Sequence, residues 1–269
     1  MAFWQALLYT KFMKSEDYCQ GDAFQAEKRT VFSAGWLPLG AEGQIAKPGD
    51  YLSVSVGGWG VVAVRGQDGT VRVLRNACRH QNMPVVNAGT GSCTNFRCRF
   101  HGWTYDLAGR FLSAPPPMAP PPTQTDRDLA TFAATANGGV LFFSVGQAAA
   151  AAPQLGVGAS YAGTSILDID ANWKAVVEHL LAEKKEFHWP LLFVRRDGAN
   201  TVVHQIVPHT FLRTRLFSHV FGAGDGDGAA IKQGSESLQA ARAAGTLPEE
   251  SEFHIGLKRF MQGGSSSPS

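Results

Sequence analysis

The period of the apolar positions changes twice along this chain. In "GDAFQAEKRTVFSAGW" (residues 21–36), Phe24, Ala26, Val31 and Phe32 recur at roughly helical spacing, which predicts a helix ending near Gly35. The pattern then turns to short alternating runs, "DYLSVSV", "WGVVAVR" and "TVRVLRN", broken by "GGWG" and "GQDGT". Alternation puts every second side chain on one face, as a half-buried strand requires. Asp68-Gly69 between two such runs is a hairpin signal. A further run, "GGVLFFSV", occupies residues 138–145. Residues 45–146 therefore read as a small all-β domain behind a helical lead-in over 1–44. Within it, "SAPPPMAPPPTQT" (113–125) predicts an extended surface segment, because consecutive prolines neither donate to a ladder nor continue a helix.

The composition of "GQAAAAAPQLGVGAS" is that of a linker, placed at 147–160. Beyond it the helical period returns. "DANWKAVVEHLLAEKKEFHW" (170–189) predicts a helix with Asp170 or Asn172 as its cap and Pro190 as its stop. "NTVVHQIVPHTFLRTRLFSHVFG" reads as two strands, "AIKQGSESLQAARAAG" as a helix closed by Gly245, and "EESEFHIGLKRFMQ" as another. These make a second domain over 161–262, with a disordered tail at 263–269. The fold class is α+β, with no internal repeat.

Composition narrows the function classes. At 44% hydrophobic and 17% charged residues the chain is an ordinary globular protein. A net charge of +2 gives no broad basic face for nucleic acid or membrane. No apolar run approaches membrane-spanning length. "MAFWQALLYTKFMK" lacks a basic n-region and a small-residue cleavage site, so it predicts an amphipathic opening helix, not a signal peptide. The 4 cysteines are too few for a disulfide scaffold, and the expected compartment is the cytoplasm.

The chemistry concentrates in "NACRHQNMPVVNAGTGSCTNFRCRFHGWTYDLAGR" (76–110), which holds Cys78, His80, Cys98 and His101. A single Cys–His pair reads as a buried thiol beside an incidental imidazole. Two pairs with loop-forming neighbours (Met83-Pro84 and Gly102) point instead to a metal held between two loops. Structural zinc takes paired cysteines and paired histidines. Here each loop supplies one of each, which suits a centre with two chemically distinct irons.

Cys78-x-His80, seventeen residues, then Cys98-x-x-His101-Gly-Trp-x-Tyr-Asp resembles the Rieske [2Fe–2S] motif of ring-hydroxylating oxygenase α subunits. The resemblance implies that Cys78 and Cys98 hold one iron and His80 and His101 the other. Respiratory Rieske proteins carry an extra, disulfide-bonded cysteine in each loop. "CRHQNMP" has none, which leaves Cys93 and Cys19 as free buried thiols and favours the oxygenase or soluble ferredoxin branch. Trp103 and Tyr105 read as core aromatics, with shielding of the cluster as the functional alternative. The segments "YTKFMKSEDYCQGDAFQAEKRTVFSAGWLPLG", "AKPGDYLSVSVGGWGVVAVRGQDGTVRVLRNACRH" and "NWKAVVEHLLAEKKEFHWP" are also similar to that family, so the second domain is expected to be helix-grip-like.

In that family, two histidines and a distant carboxylate hold a mononuclear iron with open positions for O2. Anchoring on Phe187-His188-x-Pro190 makes His188 the first ligand but puts Phe193 at the second. Anchoring on Asn172-Trp173-Lys174 puts Glu186 and Leu191 there. Neither register yields two histidines. His179, Glu183 and Glu186 would share the predicted helix, and Asp225 and Asp227 precede the next one. The plainer expectation is a solvated Glu183–Glu186 helical face, a flexible "GAGDGDGA" loop, and structural His204, His209 and His219. The segment after His188 looks heavily shortened.

The resemblance implies a Rieske-type oxidoreductase taking electrons from a reductase or ferredoxin at a [2Fe–2S] cluster, for O2-dependent hydroxylation of a small organic substrate. Mononuclear Fe(II) is a further expected cofactor, through His188, in a homo-trimer. The alternative is a degenerate α-like electron-transfer subunit, without its own mononuclear iron, paired with a catalytic subunit.

Overall fold

The computed structural model describes residues 13–116, 124–146, 151–183, 185–223, 227–246 and 251–261. The predicted opening helix over the first dozen residues, the tail, most of the proline-rich run and Asp225 lie outside them. Two short helices, α1 (Glu16–Cys19) and α2 (Gly21–Arg29), lead into β1 (Trp36–Ala41). Then come β2 (Asp50–Val56), β3 (Trp59–Arg65), β4 (Val71–Arg75) and β5 (Gly89–Ser92). Short strands β6 (Phe96–Arg97), β7 (Thr104–Tyr105) and β8 (Phe111–Ser113) follow, with a helical turn α3 (Gln124–Arg127) before β9 (Thr131–Asn137) and β10 (Val140–Ser144). The second half runs β11 (Tyr161–Ile169), α4 (Trp173–Ala182), β12 (Glu186–His188), β13 (Leu192–Asp197), β14 (Asn200–Thr210), β15 (Arg213–Phe221), α5 (Gly228–Ala243) and α6 (Glu252–Met261).

The first half forms a 7-stranded sheet, in the order β1-β10-β9-β4-β3-β2-β5, and a 3-stranded sheet, β6-β7-β8. The Asp68-Gly69 hairpin is present between β3 and β4, where Gly69 takes φ +77° and Gly66 N–H bonds the Thr70 carbonyl at 2.9 Å. The sheet begins earlier than the sequence pattern suggested. Trp36–Ala41 pairs with Val140–Ser144, so the end of the lead-in is a strand of this sheet. The helix read over 21–36 accordingly stops at Arg29, because Leu37, Leu39 and Ala41 are buried in the sheet's cores.

The second half is a 5-stranded antiparallel sheet, β11-β15-β14-β13-β12, with α4 to α6 beside it. Asn172 caps α4, its side chain accepting from Lys174 N–H at 3.0 Å. The helix predicted over 170–189 ends at Ala182, and Glu186–His188 is a strand paired with Leu192–Val194. Phe187 and Trp189 pack against the apolar core shared by both halves, and the short hairpin carries them there. The linker-like stretch is also not free of the body: Ala152 and Leu155 are buried against Val140, Phe142 and Leu192.

Glu27 of α2 ties the two halves together. Its carboxylate takes the Trp173 indole N–H at 2.6 Å and the Lys174 ammonium, all three side chains being buried. Removing one partner of such a pair costs about 3–5 kcal/mol. Glu178 of α4 does the same for α1, α5 and α6, bonding Tyr18, Arg242 (2.8 Å) and His254 (2.9 Å). These bonds overcome the upward pull of burial and hold its carboxyl below the usual range.

Candidate metal centre

Two loops of matching build project from the first half. In one, Cys78 N–H bonds the Met83 carbonyl (2.8 Å) and Asn82 N–H bonds the Cys78 carbonyl (2.7 Å). In the other, Cys98 N–H bonds the Trp103 carbonyl (2.8 Å) and Gly102 N–H bonds the Cys98 carbonyl (2.9 Å). The fourth residue after each cysteine takes positive φ, Asn82 at 57° and Gly102 at 70°. Asparagine and glycine tolerate that conformation. Asn76 anchors the first loop: its side chain accepts from Val85 (2.8 Å) and Val86 (3.1 Å) N–H and donates to Ser53 Oγ (2.8 Å).

The loops bring like donors together. His80 Nδ1 lies 3.1 Å from His101 Nδ1, with ring centroids 4.7 Å apart. Two imidazole nitrogens facing each other so closely must share a proton or share a cation. Cys78 and Cys98, both buried, lie within interaction range of each other and are not disulfide-bonded. Burial pushes the Cys78 thiol up, and the Tyr105 hydroxyl, 3.2 Å from its sulfur, works against that shift. That hydroxyl accepts from Arg79 N–H at 3.1 Å, which leaves its own proton for the sulfur. Tyr105 thus does more than fill the core.

Trp103 is a buried core aromatic, as expected. Its ring stacks on His80 at 5.3 Å and 9°, and its buried Nε1–H has no acceptor within the protein. An inorganic sulfide or thiolate would supply one. Among the described residues, no three His, Cys, Asp or Glu side chains gather around one point. The donors come in twos, thiol with thiol and imidazole with imidazole, and that set fits a [2Fe–2S] centre with a different pair on each iron.

Residues 35–133 match the family described as Rieske [2Fe-2S] domain. This segment is a Rieske domain. Over 98 residues the chain is 43% identical to the benzene 1,2-dioxygenase α subunit of Pseudomonas putida, a match spanning 36% of this chain and 22% of that protein. It is 36% identical over 98 residues to the biphenyl dioxygenase α subunit of Paraburkholderia xenovorans, spanning 21% of that protein. The matched stretch is thus about a fifth of these relatives' length. The fold is similar to that of the quaternary ammonium Rieske monooxygenase CntA in complex with L-carnitine, with TM-score 0.73 and 16% identity over 93% of this chain and 94% of that one. Naphthalene 1,2-dioxygenase with indole bound gives TM-score 0.61 and 17% identity over 86% and 76%. The chain is homologous through its Rieske domain to ring-hydroxylating dioxygenase α subunits, and its fold is similar to that of Rieske oxygenases over 93% of its length.

The second half does not gather a mononuclear iron site from its described residues. His188 lies on β12, with Nε2 2.7 Å from Glu186, whose other oxygen is 3.1 Å from Arg196 Nε. Phe193 is fully buried and its ring centroid lies 4.7 Å from that of Phe187, the two rings tilted by 33°, so the second ligand position is filled by an aromatic pair. Glu183 and Glu186 do not share a helical face, because α4 ends before them. Both glutamates are exposed, as the solvated reading expected, but Lys185 between them is nearly buried, 3.0 Å from Glu183 and ion-paired with Asp227. His204 Nε2 stands 2.9 Å from Asp227, whose carboxyl is held well below the usual range by His204, against burial, and by Lys185. An ammonium already neutralises the carboxylates that a metal would need.

Proposed function

We propose that this chain is the Rieske-carrying component of an O2-dependent hydroxylating system. Cys78 and Cys98 hold one iron of a [2Fe–2S] cluster and His80 and His101 the other. A cluster so held accepts and passes on one electron at a time. Tyr105 donates to the Cys78 sulfur, Trp103 offers its indole N–H, and the apolar shell of Val62, Leu74, Phe96 and Leu129 keeps water from the thiolates. The paired Nδ1 atoms at 3.1 Å are the single observation that carries the reading. Electrons come from a reductase or ferredoxin and serve hydroxylation of a small organic substrate. A cavity of about 620 Å³ between α4, α5 and α6, walled by Leu181, Leu238, Glu178, His179 and His254, has the volume of a small-molecule site. A homo-trimer, or a complex with a catalytic subunit, completes the assembly.

The filled Phe193 position and the Lys185–Asp227 pair define one variation to be tested against this reading. In it, the chain passes electrons to a partner subunit that holds the O2-activating iron. A single-turnover experiment decides: the anaerobically reduced chain is given O2 and a small aromatic such as benzene or benzoate. Hydroxylated product formed by the chain alone supports the self-contained oxygenase. Electron delivery to an added oxygenase component, with no product alone, supports the variation. A chain that accepts no electrons at all refutes both.

A further inference from the structure

The geometry points to a second small-molecule site, in the cleft between the two halves, that takes an elongated hydroxy acid. Its hydroxyl donates at Tyr161 and Thr164, its apolar body lies over Phe217 and Ile166, and its carboxylate meets Arg215 and His209. The site is separate from the cluster loops and from the cavity between α4, α5 and α6, and it goes beyond the function proposed above.

The cleft has a volume of about 590 Å³, within the range of small-molecule sites. Residues of β2 and β5 wall it on one side and residues of β11, β14 and β15 on the other. Cross-strand pairing sets its length. Thr164 stands opposite His219, Ile166 opposite Phe217 and Asp168 opposite Arg215. Alternation turns Thr164, Ile166, Phe217 and Arg215 to the same face of the sheet. Four residues separate Thr164 from the row of Arg215, roughly 13 Å along the strand. Leu52, Val54, Val207, Ile166 and Phe217 line the cleft with apolar surface. Ile166 is 56% exposed, an apolar side chain that a bound ligand would cover.

The direction of a buried hydrogen-bond chain decides what one end accepts. The Pro38 carbonyl can only accept, so Gln205 gives it Nε2–H at 2.9 Å and turns its Oε1 to His219 Nε2, also at 2.9 Å. That imidazole therefore carries its proton on Nε2. His219 is fully buried and neutral, so its Nδ1 is an acceptor, and the Thr164 hydroxyl at 2.8 Å donates to it. With the one Thr164 proton committed there, the Tyr161 hydroxyl, 2.9 Å away, must donate to Thr164. Tyr161 and Thr164 thus offer only lone pairs to the cleft. A ligand group seated between them has to be a donor.

Charge decides the other end. Arg215 gives Nε and Nη2 to Asp168, at 2.7 and 3.5 Å, which leaves its Nη1 edge. Asp170 is taken by Arg213 at 3.1 Å. His209 is exposed at the same end of the cleft, and among the described residues no carboxylate bonds its imidazole. Two arginines and an imidazole therefore face two carboxylates, and the ligand supplies the third through charge-assisted bonds.

The test is calorimetric titration of the full chain with 8-hydroxyoctanoate, whose extended length suits the span, beside three relatives. Octanoate lacks the hydroxyl, 1-octanol lacks the carboxylate, and 8-methoxyoctanoate keeps an oxygen that can accept but not donate. The hydroxy acid is expected to bind with a Kd of about 0.1 mM. Each relative should bind about tenfold more weakly, the methoxy acid included. Arg215→Gln should weaken the hydroxy acid about tenfold and remove its advantage over the alcohol. Should that variant fail to fold, the ranking of the four ligands on the unaltered chain still decides. No binding at millimolar hydroxy acid, or equal binding of the hydroxy and methoxy acids, overturns the inference. So does an affinity unchanged in folded Arg215→Gln, which places the ligand elsewhere on the chain. The titration does not depend on electron acceptance by the cluster, so a chain that binds the hydroxy acid but shows no Rieske spectrum fails the functional reading alone.

Discussion

Replacing Tyr105 with Phe removes a hydroxyl that stands 3.2 Å from the Cys78 sulfur and accepts from Arg79 N–H at 3.1 Å. The ring stays in the core, packed edge-on against Phe111 at 6.1 Å, so the fold should survive. A hydrogen bond to a charged acceptor contributes about 1.5–3 kcal/mol. Only the part that differs between oxidation states moves the potential, and one added electron changes the sulfur's acceptor strength by a fraction of the whole. Taking that fraction as roughly half gives about 0.75–1.5 kcal/mol. For a one-electron couple a tenfold change is about 59 mV, so the shift is on the order of 30–65 mV. Its sign follows from charge: the reduced centre attracts a donor more strongly, and losing the donor lowers the potential. Potentiometric titration of Tyr105→Phe, followed by EPR, should show this fall with the line shape of the centre retained. An unchanged or higher potential would refute the claim that Tyr105 donates to the cluster's sulfur.

Two other perturbations test the second half. His219 is fully buried between Thr164 (2.8 Å) and Gln205 (2.9 Å), and burial, with His204 nearby, holds its pKa down at about 3. Unfolded, the imidazole titrates near about 6.5, so as pH falls below that the unfolded chain binds more protons and stability drops, by about 2 kcal/mol at pH 5 and about 4–5 kcal/mol at pH 3. Urea unfolding of His219→Gln should lose most of this dependence between pH 8 and 5, and an identical slope would contradict the assignment. Gly234, inside α5, faces His179 so closely that an added Cβ would overlap the imidazole. Gly234→Ala should therefore destabilise by about 1–3 kcal/mol although alanine is the better helix former. His179→Ala in the same chain should restore the loss, and a more stable single variant would show that the packing is not as described.

The parts legible in the sequence are those set by local rules. The Asp68-Gly69 turn, the β14–β15 pair and the helix closed by Gly245 follow from period and turn chemistry, and each is present. The cluster loops were legible because their ligand types and spacing are confined to a few adjacent positions. Asn76 and Asn82 were not. Their roles, anchoring one loop and turning it through positive φ, depend on partners that no period marks. The helix over 170–189 was overextended because Lys184, Lys185 and Glu186 are good helix formers. The aromatic side chains of Phe187 and Trp189 instead reach the shared core from a strand. Propensity lost to burial there. The likeness of Trp36–Ala41 to a helical lead-in failed for the same reason, since its strand pairing lies with residues about a hundred positions away.

Iron, acid-labile sulfide and zinc in the anaerobically purified chain, measured beside the EPR spectrum of the reduced form, test the central claim most directly. The expected result is two sulfides and at least two irons per chain, with a rhombic signal of low average g, as imidazole-ligated clusters give. Cys98→Ser should abolish both sulfide and signal, because metal binding and the local fold are coupled. A colourless chain carrying stoichiometric zinc, or a sulfide-free one whose Cys98→Ser variant is unchanged, would contradict the account.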